Sequence, residues 1–271
     1  MSTASALRAA TVRLAAAGVD SPRVDAELLL AFVLSVPRSR LFLIDSLPAA
    51  DLERFDALVA RRASREPLQY ITGTAPFLGL SLAVGPGVFI PRPETEVLAS
   101  WGISALDGLS APTAVDLCSG SGALALAIAS ARPDATVYAV ELSPTALEWL
   151  HRNASNFSNV VVVAGDVRTV SLPVVADLVV ANPPYVPSTV EVPAEVRSDP
   201  PEAVFAGPDG LELIPAVASL GASLLRRGGW IGMEHDESHA AAVADILSSS
   251  FVDICGLADL AGRPRFTLGR R

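Results

Sequence analysis

In ADLVVANPPYVPS (176–188) a run of strand-forming valines stops at Asn182, and two prolines and a tyrosine follow. Proline has no N–H to give a sheet, and it drives the residue before it out of the helical region. Asn182, Pro183 and Pro184 therefore extend the chain stiffly past a strand end. The carbonyls of Asn182 and Pro183 then point outward, unpaired by a neighbouring strand. The Asn182 side chain adds an acceptor and a donor, and Tyr185 adds a flat wall. Two acceptors beside an aromatic surface suit a planar NH₂ group. A proline-rich turn is the plainer reading of Pro-Pro alone, but it explains neither the strand-end Asn nor the Tyr.

Three further strand ends carry chemistry. In VDLCSGSGALALA (115–127) a strand runs into small residues and then a helix. Gly120 and Gly122 allow a sharp turn and a close approach to a ligand, and the helix start offers unpaired N–H groups. Glu141 closes the next strand about 20 residues on, where an acid suits the two hydroxyls of a ribose. Its plainer role is to cap the helix that starts at Ser143 and Pro144. Asp166 ends a third strand, where it can accept from the exocyclic amine of adenine or simply face solvent. Loop and acid together favour a nucleoside. They also nearly fit the dinucleotide fingerprint G-x-G-x-x-G/A, so a dehydrogenase remains open.

Other candidates are weaker. His235 and His239 are four apart, but the pair straddles a strand–helix junction and lacks the HExxH order of a zinc site. His151 reads as a helix-surface residue. All 20 basic residues are arginine, which excludes a Walker-type phosphate loop and any Schiff-base lysine. Cys118 and Cys255 are unclustered and form neither a zinc site nor a disulfide framework, so a reducing cytosol is the default.

The elements that must position these residues alternate. From Thr113 onward the order is TAVDLC strand, GALALAIASA helix, ATVYAV strand, PTALEWLHRNAS helix, then strands NVVVVAGD and ADLVVAN. LELIPAVASLGASLLRR is a helix with Pro215 in its first turn or at a kink. GGWIGMEH is a strand, SHAAAVADILSSS a helix, and VDICGL and RFTLGR are terminal strands. This pattern predicts a mostly parallel sheet covered on both faces. Residues 1–68 read as helices. One begins around Leu7, Val12 and Leu14 to Val19. Another is SPRVDAELLLAFVL (21–34), with a Ser cap and Pro in its first turn. A third lies in 49–67, where Leu52, Phe55, Leu58 and Val59 share a face. Residues 69–92 are rich in Gly, Pro and aromatics and read as a hairpin linker.

At 271 residues, 51% hydrophobic and 18% charged, the chain buries a core easily. No apolar run reaches the roughly eighteen residues that span a membrane. A net charge of −9 and a pI of about 4.8 argue against a duplex nucleic-acid binder.

With the loop, the acid and Asn-Pro-Pro-Tyr in place, the chain resembles the S-adenosylmethionine-dependent amino-methyltransferases. EPLQYITG (66–73), FIPRPETE (89–96), EVRSDPPEAVFAGPDGL (195–211), GGWIGMEH and RFTLGR are together similar to the HemK/PrmC family of peptide chain release factor glutamine N5-methyltransferases. The resemblance covers nearly the whole chain. It implies a seven-stranded, Rossmann-like class I methyltransferase domain (93–271), a small helical domain (1–68) that helps to hold the substrate and a β-hairpin linker (69–92). The substrate implied is the glutamine of the Gly-Gly-Gln motif in class 1 release factors, in the cytoplasm, with neither membrane nor direct nucleic-acid binding. The cofactor implied is S-adenosylmethionine, leaving as S-adenosylhomocysteine.

By match, Cys118, Ser119, Gly120, Ser121 and Gly122 would line the methionine part of the cofactor. Glu141 would bind its ribose, and Asp166 and Val167 would lie by the adenine. Asn182, Pro183, Pro184 and Tyr185 would hold the glutamine amide and carry catalysis, with Asn182 also near the cofactor. Phe77 and the segment from Pro91 to Thr95 would close the pocket. The chain departs from the family at Cys118, where a Gly usually begins the loop. That substitution is tolerable if the position does not need positive φ, and the buried thiol is expected to be inert. Asp199 stands where Glu is frequent, and Leu78 where a second aromatic is frequent.

Methyl transfer by direct displacement needs no metal and no covalent intermediate. The Asn182 side-chain oxygen and the Pro183 carbonyl would each accept one N–H and stabilise positive charge growing on the nitrogen. A nucleic-acid adenine N6-methyltransferase shares this logic, because adenine N6 is also a planar NH₂. A dehydrogenase leaves Asn-Pro-Pro-Tyr unexplained. A non-catalytic module of the same fold is the remaining alternative.

Overall fold

The computed structural model describes residues 1–271. The chain divides into two compact units, Met1–Thr74 with Pro193–Ser198, and Ala75–Val192 with Asp199–Arg271.

The first unit is helical: α1 (Thr3–Ala16), α2 (Pro22–Leu34), α3 (Ala49–Ala63) and the single turn α4 (Leu68–Thr72). Ser2 caps α1 by accepting the Ser5 N–H, and Pro22 opens α2 at a position that needs no N–H. Ala6, Leu7, Ala10 and Leu14 form the buried face of α1. They meet Leu29 and Leu30 of α2 and Phe55 and Val59 of α3 in one cluster. Val12 lies on the opposite face and is exposed, and α1 stops at Ala16, short of the expected Val19. Arg62 is buried on α3 and pairs with Asp25 at 2.7 Å and Glu195 at 2.9 Å. Arg65 grips Glu195 with two bonds of 2.8 and 2.6 Å. Glu195 thus anchors the segment that returns to this unit from a distant part of the chain. Partial burial opposes its ionisation, but Arg65 and Arg62 outweigh it and hold the carboxyl at about 2.

In the second unit the expected hairpin is shorter than 69–92. Only β1 (Thr74–Phe77) and β2 (Leu80–Ala83) pair. Residues beyond Ala83 contain Pro86, Pro91 and Pro93, which cannot donate to a ladder, and they run as turns. Helix α5 (Thr95–Ala105) has no counterpart in the sequence reading. It begins without a side-chain cap, and its apolar run could equally have been strand.

The main elements follow: β3 (Thr113–Leu117), α6 (Ala123–Ala131), β4 (Thr136–Glu141), α7 (Pro144–Ala154), β5 (Val160–Ala164) and β6 (Ala176–Ala181). After them come α8 (Pro201–Val204), α9 (Ile214–Leu224), β7 (Leu225–Glu234), α10 (Ala240–Ser248), β8 (Val252–Ala258) and β9 (Pro264–Arg270). The strands form one seven-stranded sheet in the order β5-β4-β3-β6-β7-β9-β8. Only β9 is antiparallel to its neighbours. Pro215 sits in the first turn of α9, one of the two expected positions.

Strand residues alternate between two cores because side chains alternate across a sheet. Ala114, Leu178 and Val180 pack with Leu98 of α5 and Ile128 of α6 on one face. Val115, Leu117, Val179 and Ala181 pack with Val217 of α9 and Val243 of α10 on the other. Strand order runs outward through β4 and β5 on one side of β3, and through β6 and β7 on the other. Leu117 pairs with Ala181 across the central seam, so Cys118 and Asn182 leave the sheet side by side at its switch point.

Candidate active site at the sheet switch point

The glycine loop is built by backbone. Ser119 N–H donates to Val140 O at 2.9 Å, and Gly122 N–H to Ser119 O at 2.8 Å. Gly122 has φ +89, and a Cβ there would meet Leu150 Cδ1 at 2.6 Å. Cys118 corrects an expectation: its φ is +62, so the position does require the left-handed region. A non-glycine residue there costs roughly 1–2 kcal/mol. Burial pushes the Cys118 thiol pKa far up, which disfavours the thiolate.

Asp116, one residue before the end of β3, supports this loop and has no signal in the motifs above. Its Oδ2 accepts the Ala125 N–H of α6 at 3.1 Å, while its buried Oδ1 has no partner. Burial raises its pKa to about 7. The cue to it is instead a carboxylate inside an otherwise apolar strand.

Glu141 accepts the Gly120 N–H at 2.7 Å on Oε2, and those of Leu142 and Ser143 at 2.8 Å on Oε1. It thereby joins two strand-end loops, while helix α7 is capped by Ser143 itself. With about four acceptor sites on a carboxylate, roughly one remains for a ligand hydroxyl. Asp166 is not left facing solvent alone. Arg168 holds it through Nε at 3.0 Å and Nη2 at 2.7 Å, and this pairing lowers its pKa. Val167 beside it is buried against the α9 face.

Asn182 follows β6 directly, half-buried, with Pro183 and Pro184 buried behind it and Tyr185 half-buried. No loop backbone N–H donates to the carbonyl of Asn182 or of Pro183. Val186 then bridges to Phe205, with its N–H on Val204 O at 3.0 Å, and this fixes the far end of the motif. Gly210 packs against the Tyr185 carbonyl so closely that a Cβ would collide with it.

The side chains of the motif converge on two residues from other elements. Asn182 Nδ2 donates to Thr95 Oγ1 at 3.2 Å, and Thr95 Oγ1 donates to Glu234 Oε2 at 2.7 Å. The Tyr185 hydroxyl donates to Glu234 Oε1 at 3.2 Å. Glu234 is 1% exposed, and burial raises its pKa to about 7. Burial also raises the Tyr185 hydroxyl, which stays a donor. Glu234 was missed because a single acid at the end of an apolar strand names no partner.

The surrounding residues sort differently from expectation. Phe77 is 0% exposed inside the core, so its side chain presents no open surface, whereas Leu78 beside it is 37% exposed. The cause is the tight turn after β1, where Leu78 at φ +43 points out and its N–H is held by Glu96 at 3.0 Å. Asp199 is buried, accepts the Ile90 N–H at 3.1 Å and pairs with Arg92. It clamps the segment that leads into Thr95. His235 spends both ring nitrogens within the fold, on the Asp236 carbonyl and Thr267 Oγ1, each at 2.8 Å.

Comparison with known proteins agrees with this architecture. The model of the PrmC N-terminal domain matches residues 5–73, and that of the methyltransferase small domain matches 94–196. The release factor glutamine methyltransferase of Mycolicibacterium smegmatis is 48% identical over 98% of this chain and 96% of its own length. That of Corynebacterium glutamicum is also 48% identical, over 98% of both chains. Among solved structures, the catalytic domain of hMettl16 in complex with a MAT2A 3′UTR hairpin superposes with a TM-score of 0.59 at 15% identity. The match covers 79% of this chain and 80% of that one, and together with the methyltransferase small-domain match it shows the class I methyltransferase fold. The chain belongs to the family of release factor glutamine methyltransferases.

Proposed function

We propose that this chain transfers a methyl group from S-adenosylmethionine to the side-chain amide nitrogen (N5) of the glutamine in the Gly-Gly-Gln motif of class 1 release factors. The observation that carries the reading is the pair of carbonyls after β6 that no loop backbone N–H engages, beside a glycine loop at the switch point. Kinship with release factor glutamine methyltransferases names the substrate.

The residues present fit the cofactor. Asp116 Oδ1 is a buried acceptor with no partner, Glu141 keeps acceptor capacity, and a Cβ at Gly120 would meet no atom within 4 Å. Cys118 to Gly122 would hold the methionine part, Glu141 the ribose, and Asp166 and Val167 the adenine side. When bound, S-adenosylmethionine supplies an electrophilic methyl group. Asn182 Oδ1 and the Pro183 carbonyl accept the two N–H groups of the glutamine amide, and Tyr185 walls its plane. These acceptors favour charge growth on nitrogen and disfavour amide conjugation. The helical unit contributes to holding the release factor, in the cytoplasm where translation ends, without nucleic acid in the complex.

The test uses purified protein, S-adenosylmethionine and a class 1 release factor from the same organism, digested and weighed by mass spectrometry. One added methyl on the Gly-Gly-Gln peptide is expected. An unmodified peptide with cofactor binding intact, or methylation of RNA or DNA adenine instead, overturns the reading.

A further inference from the structure

An amide receptor works only if Asn182 turns its oxygen, not its NH₂, toward the substrate. The two ends of a carboxamide have nearly the same shape, so sterics do not choose between them. The hydrogen bonds behind Asn182 do. An ionised Glu234 can only accept, which obliges Thr95 and Tyr185 to donate to it, and they do so at 2.7 and 3.2 Å. Thr95 has then spent its single proton and can offer Asn182 only a lone pair. Asn182 must answer with Nδ2, as it does at 3.2 Å, and Oδ1 is left for the substrate. Thr95 is 3% exposed and Glu234 1%, so water does not compete.

We propose that Thr95 and Glu234 are positioning residues that set the polarity of the Asn182 amide, one buried carboxylate orienting both ends of the Asn-Pro-Pro-Tyr motif. This rests on the amide-receptor reading above. Neither residue touches the reacting atoms; both act through Asn182 and Tyr185.

The relay has a defined failure mode. A protonated Glu234 can donate to Thr95, Thr95 can then donate to Asn182, and the amide turns its NH₂ outward against the substrate NH₂. Turnover therefore requires ionised Glu234 and rises with pH as the group ionises. The charged and titratable groups around it are Glu94 before α5, Tyr185 of the motif, Arg265 on β9, and His235 and Asp236 after it in sequence. Burial raises the Glu234 pKa to about 7, with Arg265 and its two hydrogen bonds opposing. His235 is pushed below 6.5 by burial, so its titration falls at lower pH.

The experiment measures kcat and KM for release-factor methylation from pH 5.5 to 9 with wild type, Thr95→Val, Thr95→Ser and Glu234→Gln. Cofactor affinity and thermal melting serve as folding controls. The Asn182 side-chain amide signal, assigned by its loss in Asn182→Ala, is followed by ¹⁵N NMR over the same range without substrate. Thr95→Val should lower kcat roughly ten- to a hundred-fold, more than it changes KM or cofactor affinity, and Thr95→Ser should restore most of it. The rate limb near pH 7 and the movement of the Asn182 signal should both vanish in Glu234→Gln. Full kcat in Thr95→Val, or a limb and a signal shift that persist in Glu234→Gln, overturns the proposal. If Glu234→Gln does not fold, the Thr95 pair and the wild-type NMR titration decide: a flat wild-type signal overturns it. A wild type that leaves the peptide unmethylated while the Asn182 signal titrates overturns the substrate reading and keeps the relay.

Discussion

The two halves of the candidate site are built in opposite ways. The glycine loop is made mostly from neighbours in sequence: Asp116, Cys118 and Gly122 lie within seven residues, and backbone hydrogen bonds, with the Glu141 carboxylate on the Gly120 N–H, close the turn. The proposed amide receptor is made from side chains that lie far apart. Asn182 and Thr95 are 87 positions from each other, and Thr95 and Glu234 are 139. A backbone cradle tolerates changes of side chain provided the dihedral angles survive. A side-chain relay tolerates distance but not loss of a donor or an acceptor. Damage to the loop should therefore appear in stability and cofactor affinity together, and damage to the receptor in turnover alone.

The largest separation is expected from Asn182→Ala. Removing one preorganised acceptor should lower kcat by about 10²–10³-fold, with cofactor affinity within roughly threefold of wild type. Steady-state kinetics beside calorimetric titration checks this, and full turnover would remove Asn182 from the mechanism. Gly122→Ala should do the reverse. Its Cβ has no room against Leu150 and its φ is left-handed, so a loss of about 2–3 kcal/mol in urea unfolding is expected, together with weaker cofactor binding. Normal stability in that variant would mean that the loop yields more easily than its packing implies.

Both halves bury a carboxylate whose folded pKa is about 7, Asp116 in the loop and Glu234 in the receptor. The sign follows from proton counting. Between the ordinary carboxylate value near 4 and about 7, the folded chain holds protons that the unfolded chain has lost. These groups therefore make stability fall as pH rises through that window. Asp116→Asn should flatten the fall between pH 5 and 7 by an amount on the order of 2 kcal/mol. Unfolding midpoints at several pH values measure it, and an unchanged slope would show that Asp116 ionises freely. The smallest effect concerns Cys118. Cys118→Gly relieves the left-handed strain but adds unfolded-state entropy, for a net gain of about 0.5–1 kcal/mol, whereas Cys118→Val should destabilise. Equal stabilities of the two variants would show that the strain is absorbed elsewhere.

The loop, Glu141 and Asn-Pro-Pro-Tyr were legible because each is a local statement. Glycine supplies positive φ, proline withholds an N–H, and an acid at a strand end lies at the ligand-binding edge of the sheet. The alternation of valine strands with apolar helices likewise gave the seven strands and their two covered faces. Helix α5 was not legible, because an uncapped apolar run has no distinguishing period. Nor was the burial of Phe77, which follows from the tight turn at Leu78.

What the sequence alone determined was which backbone conformations are forced or forbidden, and hence where a glycine turn and a pair of carbonyls without N–H partners must stand. Only the tertiary structure decided which side chains answer them. Glu234 beneath Asn182 and Tyr185, Asp199 on Arg92 and Glu195 between Arg62 and Arg65 all pair residues far apart in the chain. The left-handed setting of Cys118 was decided the same way, by the loop closing onto β4. Dihedral preferences act within a residue or two and can be read in order; a buried carboxylate takes its partners from whatever the completed sheet brings within about 3 Å.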